Sequence, residues 1–491
     1  MSKTRDWSTE LEELDAQIKG GRIADVQNAL RDIEAPTVPE VLRHRFANLC
    51  RRVGLAPLGL RILSENVLLD GELRRDALAQ DLIEYGVGLQ RVGAVREAMG
   101  ILGGIDAKAY PEADLYLAFG AIVSWDYDAA LGWIDSFLAR TEENPGDPYR
   151  RLVARLNRLE CLLITGQHDH LEASATALEA ELRAQGHTLL LGNAYEIQAQ
   201  SRVAKGQFNE ALESLASARE LIPESNSADS LFISKWQAIA RARRDHSIEN
   251  IQEARSEALQ LGHWETLRDL DSQALRIAPT QELACWVYFG TPFASYRRNL
   301  ERNLQWTPPA ETWVTTDVIM SRPAAEGLDI VLEDIGDGRA GLAHRLILLL
   351  ASDYYRPFRG GEIFARIFAD ERFNPQTSMN RVHQQIGEAR QLITELKWPF
   401  RIDEDGGRYS LRWTAPGRLW VRNQELNLDA DAVQVAFLRK HFEGRDFATA
   451  EAATVMAKSA SSARSWLSRA VEKNLLGRYG SGASIRYNFL A

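Results

Sequence analysis

From residue 8 to 276 the chain repeats one local pattern: apolar residues at three- and four-residue spacing over segments of 12 to 20 residues, separated by breaks rich in Gly, Pro or Asp. No convincing run of alternating polarity interrupts it. Each such segment buries one stripe and must pack against another, so a long succession of them folds as a bundle or as a stack of helix pairs. A phrase of small or turn residues followed by Ala-Leu, or a near equivalent, recurs close to Ala29, Gly59, Ala98, Ala130, Ala173, Ala211 and Ala254. The intervals of 30, 39, 32, 43, 38 and 43 residues are the size of a helix-turn-helix repeat, which selects the stack.

The clearest unit runs Lys205-Gly206-Gln207-Phe208-Asn209-Glu210-Ala211-Leu212-Glu213-Ser214-Leu215-Ala216-Ser217-Ala218 and closes at Pro223. It resembles the second helix of a tetratricopeptide repeat, with a small residue at 211, an apolar one at 215, a small one at 218 and a helix-stopping proline. Asp126-Tyr127-Asp128-Ala129-Ala130-Leu131 echoes its beginning. Only small side chains let paired helices interlock and stack on the next pair. The fold expected is mainly α: an α-solenoid, tetratricopeptide-like, over residues 1–276, followed by two small α+β winged-helix domains. Residues 277–310 are expected to form a capping helix and linker, with Trp286, Tyr288, Phe289, Phe293 and Tyr296 covering the exposed end of the solenoid.

A first C-terminal module is placed at 311–413, with β-branched strands near Trp313 to Met320 and Leu328 to Ile335. Leu342, Leu346, Leu349 and Leu350 share a helical face; Ile363, Phe364, Ile367 and Phe368 stripe a second helix, and Val382, Ile386, Ala389 and Ile393 a third. Phe400-Arg401-Ile402, a turn over Asp403 to Gly407 and the alternating Arg408 to Trp413 make a hairpin. This order, with Phe358-Arg359-Gly360-Gly361-Glu362-Ile363-Phe364 leading into the second helix and the loop Ala369 to Gln376, resembles the winged-helix effector domain of OmpR/PhoB-like response regulators. The resemblance covers about 70 residues and implies a third helix that enters a DNA groove. With its stripe buried, that helix is expected to turn Ser378, Asn380, Arg381, Gln384 and Gln385 outward, and Arg, Asn and Gln can make bidentate contacts to guanine or adenine edges. Arg408 joins them on the wing. The family carries more basic residues on this helix than Gln384, Gln385 and Glu388 supply here.

A second module is placed at 414–491. Val433, Ala436 and Phe437 mark a first helix, Thr449 is expected to cap a second, and Ala463, Leu467, Ala470 and Val471 stripe a third. The ending from Asn474 to Tyr487 resembles the wing of many bacterial winged-helix repressors. Ser461, Ser462, Arg464 and Ser465 are expected to face outward from the third helix, and Arg478 and Arg486 to lie on the wing within reach of phosphates.

The net charge of -10 looks unsuited to a nucleic-acid partner until it is divided. Residues 339–491 carry about +7 and residues 1–338 about -17, so the two ends suit partners of opposite sign. The N-terminus shows no secretory core, and the most apolar helix, near Leu346 to Ala351, is too short to cross a bilayer. Cys50, Cys161 and Cys285 form no ligand spacing and read as buried thiols. Gly336-Asp337-Gly338-Arg339-Ala340-Gly341 matches GxGxxG, but it leads through one helix into another, without the parallel strand and acid that a dinucleotide site needs. The sequence therefore predicts a non-enzymatic cytoplasmic transcription regulator without a cofactor or a membrane association. Its repeats would bind a protein or peptide and its tandem winged helices double-stranded DNA. A scaffold using both parts for protein contacts is the alternative, and a homodimer is left open.

Overall fold

The computed structural model describes residues 6–490 apart from 20, 34–36, 144–145, 223–226, 316–327, 333–339, 369–370, 416, 424–434, 436–437, 440, 443, 457–458, 473–474, 481 and 483–484. Contacts group residues 1–365 with 371–421 in one unit, and 422–491 with the short segment 366–370 in a second.

Among the described residues seventeen helices open the first unit: α1 (Trp7–Lys19), α2 (Ile23–Arg31), α3 (Arg43–Arg52), α4 (Ala56–Val67), α5 (Ala79–Val92), α6 (Val95–Gly103), α7 (Glu112–Val123), α8 (Tyr127–Arg140), α9 (Pro148–Ile164), α10 (His168–Gln185), α11 (Thr188–Ala204), α12 (Phe208–Leu221), α13 (Ser227–Asp245), α14 (Glu249–Leu261), α15 (Trp264–Ile277), α16 (Gln281–Phe289) and α17 (Ala294–Leu304). Neighbours pack as pairs from α3 onward. Helices α3 and α5, and again α9, α11, α13 and α15, also touch the helix two further on, so the odd-numbered helices form two rows, α3 to α7 and α9 to α17. This is an α-solenoid. Every small residue that marks the repeat falls in an even-numbered helix, the second of its pair. Gly59, Ala98, Ala130 and Ala211 are buried there as close packing requires. Ala29 and Ala173 face solvent and Ala254 is half-buried; in α10 and α14 the buried small residues are Ala175 and Ala258. A short antiparallel pair, β1 (Leu68–Leu69) and β2 (Glu72–Leu73), corrects the expectation of a strand-free array.

Helices α16 and α17 do not cover an exposed end. Trp286, Tyr288, Phe289 and Tyr296 belong to the same core as α11 to α15. The α17 region reaches back to the middle of the stack, where Phe293 stacks on Trp125 at 5.9 Å and Tyr296 meets the same ring at 4.7 Å. The stack therefore curves back on itself.

The first C-terminal module comprises α18 (Ala340–Leu350), β5 (Phe358–Arg359), α19 (Gly360–Ile367), α20 (Ser378–Glu395), β6 (Phe400–Asp405) and β7 (Arg408–Trp413), with sheet order β5-β7-β6. The hairpin is tighter than expected. Gly406 and Gly407, both at positive φ, make the whole turn between Asp405 and Arg408, which only residues free of a Cβ adopt without strain. A further sheet joins β3 (Glu311–Thr315) and β4 (Leu328–Val331) to β8 (Gly417–Arg422), the last parallel to β4. Strand β8 ties residues placed at the start of the second module to the first unit, and the contacts divide after Val421, not at 413/414.

The array and this module share one unit, joined by charged groups withdrawn from water. Arg268 of α15 is fully buried and donates to both carboxylate oxygens of Asp353, at 2.9 and 3.0 Å. The rings of Phe293, Tyr296 and Tyr355 lie 5.2 to 5.9 Å from its guanidinium. Tyr355 donates to Asp271 at 2.8 Å, and Asp271 also receives Arg255. On the other flank Glu97 accepts from the Phe373 amide at 2.9 Å and Arg372 pairs with Glu72. A Cβ on Gly361 would stand 2.4 Å from the Val92 carbonyl, so glycine is what permits this approach.

The second unit holds α21 (Thr449–Val455), α22 (Ala460–Glu472), β9 (Phe447–Ala448), β10 (Leu476–Tyr479) and β11 (Arg486–Phe489), in sheet order β10-β11-β9. Its core contains Leu438, Phe447, Trp466, Leu467 and Tyr487. The helix expected over Val433, Ala436 and Phe437 lies outside the described residues at those positions. Thr449 is the first helical residue and not the cap; Glu451 instead reaches back to accept from the Ala448 amide at 2.6 Å.

Asp353→Asn should leave the buried Arg268 charge with Glu265, 3.4 Å from its Nε, as its one carboxylate partner among the described residues. Breaking a buried pair from one side costs roughly 3–5 kcal/mol. Urea unfolding of the full chain should register that loss, and a change under 1 kcal/mol would show that Glu265 and the aromatic neighbours suffice to hold Arg268.

Candidate functional site

In the first module the stripe Val382, Ile386, Ala389 and Ile393 is buried as read from the sequence, but two of the outward residues are not outward. Ser378 is 2% exposed and its hydroxyl accepts from the Asn374 amide at 2.8 Å, so it serves the start of the helix. Gln385 is 7% exposed and follows the buried register of Val382 and Ile386. Arg381 pairs with Glu371 and lies 6.0 Å from the Phe364 ring. Asn380 and Gln384 face solvent, with Gln384 donating to Glu388 at 3.1 Å. Arg408 stacks 5.1 Å from the ring of Trp264 in the array. The wing arginine is thus turned toward protein.

The second module keeps more of the expected arrangement. Ser461, Arg464 and Ser465 are exposed on α22 and, with Ser468 and Arg469, line one open polar depression. They face away from the buried Ala463, Trp466, Leu467 and Ala470, the period of a helix with one apolar face. The Ser462 side chain lies outside the described residues. Behind the helix, β10 and β11 pair antiparallel with Arg478 opposite Tyr487 and Tyr479 opposite Arg486. Arg478 is exposed. Arg486 is exposed too, yet it donates to the Asp446 carbonyl at 2.9 Å and stands 3.6 Å from Glu451, so part of its donor capacity is already used.

A second polar constellation lies along the odd-numbered helices of the array. Glu160 of α9, Glu196 of α11, Lys235 of α13 and Asp269 of α15 interact electrostatically. Lys235 pairs with Asp269 at 2.7 Å, Gln200 donates to Glu196 at 2.7 Å, and Tyr127 donates to Glu160 at 3.2 Å. Burial pushes the Glu196 carboxyl up to about 7, against the opposing pull of Lys235 and the Gln200 hydrogen bond, and it pushes the Glu160 carboxyl up in the same direction. These residues were missed in the sequence, although a signal was present. They stand 36, 39 and 34 residues apart, the period of the repeat itself, so one charged position recurs in successive first helices.

The three cysteines are free and buried, and burial raises the Cys161 thiol to about 12. No cluster of potential metal ligands occurs among the described residues, and none of their helices is long and apolar enough to cross a membrane. Most of the GxGxxG segment lies outside the described residues, and α18 begins at its Ala340.

Fold and sites together define an α-solenoid that carries two small α+β modules. No described protein family matches the chain, and no curated protein matches it. Among solved structures it is similar to the Rap conjugation gene regulator of the plasmid pLS20 in complex with the Phr* peptide, at 10% identity and a TM-score of 0.37, over 79% of this chain and 95% of that one.

Because Glu196 is more basic in the fold than in an unfolded chain, its contribution to stability is complete below about pH 4.5 and is lost as pH rises through 7. Glu196→Gln should therefore match the parent Tm near pH 4.5 and exceed it at pH 8. An equal difference at both pH values would remove the carboxyl from this environment.

Proposed function

We propose that the chain is a non-catalytic DNA-binding transcription regulator. Both C-terminal modules are read as winged helices, the first of the OmpR/PhoB-like kind, and the second meets duplex DNA. The observation that carries this reading is the outward face of α22, with Arg464 flanked by the hydroxyls of Ser461 and Ser465 and the exposed Arg478 on the adjoining hairpin. Small hydroxyls let a helix enter the major groove closely, and a guanidinium can span two acceptors of one guanine. The array is read as the partner-binding part. The row Glu160, Glu196, Lys235 and Asp269 places three carboxylates against one ammonium, which suits a protein or peptide presenting basic groups. We place this regulator in the cytoplasm.

A second reading, a scaffold working through protein contacts, is favoured for the first module alone by the contact of Arg408 with Trp264. In that reading the second module supplies the DNA contacts and the first serves the array.

The test is a titration of the full-length chain against a randomised duplex library at three salt concentrations. Phosphate contacts release counter-ions, so affinity should fall steeply with salt. Arg464→Ala should lose discrimination at one base position, worth roughly 1–3 kcal/mol. Arg478→Ala should weaken all sequences alike and reduce the salt slope by about one, with a smaller effect for Arg486→Ala because Glu451 and Asp446 already hold that side chain. Absence of binding at low salt would transfer the scaffold reading to the whole chain.

A further inference from the structure

Five arginines converge where α3 and α5 of the array meet the β5-β7 ladder of the first module. Two of them are neutralised. Arg51 pairs with Glu84 at 3.2 Å, a carboxylate that also accepts from Asn48, and Arg356 pairs with Glu362 at 2.7 Å. The other three, Arg91, Arg359 and Arg408, have no carboxylate within ion-pair distance among the described residues. Asp405, opposite Arg408 across the two-residue turn, makes no ion pair with it.

Their placement is costly. Arg359 and Arg408 stand directly opposite each other in the antiparallel β5-β7 pair, where like charges destabilise the ladder. Arg359 also donates to the Arg91 carbonyl at the end of α5, and the exposed Arg91 side chain acts on the Arg359 guanidinium as a like charge. That bond accounts for one donor of Arg359, since a cation is favourable at a helix C-terminus, and for nothing of Arg91 or Arg408. Burial, and after it Arg408, Arg356 and Arg91, hold the Arg359 guanidinium below its ordinary value against the opposing pull of Glu362, whose carboxylate is already taken by Arg356. The Trp264 ring lies 5.1 Å from the Arg408 guanidinium and restricts its position. Uncompensated like charge held in fixed geometry is what an oxyanion site needs.

We infer that Arg91, Arg359 and Arg408 form a binding site for a phosphoryl group on a small ligand, at the seam between the array and the first module. Three free guanidinium charges exceed what one carboxylate balances. A phosphoryl group carries about -1.5 to -2 charge at pH 7 and three acceptor oxygens, enough to engage all three forks. Arg359 and Arg408 are half-buried and Arg408 lies under an array tryptophan, so a small ligand fits this seam better than a duplex.

Calorimetric titration of the full-length chain with pyrophosphate and with inorganic phosphate, at ionic strength matched by chloride, tests the site. Phosphate stabilises many proteins simply by exclusion from their surfaces, so the readout is a saturable heat at one site, backed by Tm. Arg91→Gln and Arg359→Gln should each weaken pyrophosphate binding at least about tenfold. Arg91→Gln in chloride alone should unfold at or above the parent Tm, because it removes repulsion. A purely structural role would lower that Tm and leave the titration unchanged. No saturable heat in the parent, or parental affinity in both variants, overturns the site. A third arm adds a 20-base-pair duplex: if pyrophosphate displaces it and Arg408→Gln loses both ligands, the cluster belongs to the DNA surface and the small-ligand assignment falls.

Discussion

The contact between Arg268 and Asp353 sets the terms for the first unit. Neither side chain is reached by water, and taking two charges out of water costs several kcal/mol each, which only good geometry and further hydrogen bonds return. Here two oxygens of Asp353 receive the guanidinium and three aromatic rings close around it. Two of its nitrogens, Nε and Nη1, make no hydrogen bond; Glu265 stands 3.4 Å from Nε, and the rings carry a further part of the load through their quadrupoles. The rings come from two places: Phe293 and Tyr296 from the α17 region, Tyr355 from the first module. Solenoid, returning helices and module must all be in place before this charge can be buried, and the unit folds as one body for that reason.

The helical stack was legible because its signal is periodic and redundant. A small residue every 30 to 43 positions survives the loss of several members, and four buried positions sufficed although Ala29 and Ala173 point to solvent. Polar residues were harder, since composition does not state direction. Ser378 and Gln385 have the chemistry of a groove-reading face, yet Ser378 satisfies an amide at a helix start and Gln385 occupies a core register. Arg408 reads as a wing cation in any hairpin; its partner Trp264 is 144 residues away, beyond any local pattern. The residues of strand β8 were placed with the second module, at 414–491, because a parallel partner leaves no trace near its own sequence. On α22, by contrast, periodicity alone separated Arg464 and Ser465 from Trp466 and Leu467, and the fold keeps that division.

Charge in the array is sorted as well as unbalanced. The N-terminal odd-numbered helices bear Arg51 and Arg91, and the C-terminal ones Glu160, Glu196 and Asp269. Formal charge over the whole chain hides this, and each group has a member already paired, Arg51 with Glu84 of α5 and Asp269 with Lys235 of α13.

Stacks of repeats ordinarily tolerate gain or loss of a unit, since each contacts only its neighbours. This one is closed by a brace. The first module holds Glu72, Val92 and Glu97 near one end and Arg268, Asp271 and Gly290 near the other. Each repeat adds a small rotation and rise, so one unit inserted or deleted between residues 98 and 263 would carry the two anchor points apart and no single module could span them. The brace therefore fixes the number of repeats between its two anchors, whereas the turns between helices can change length without moving them.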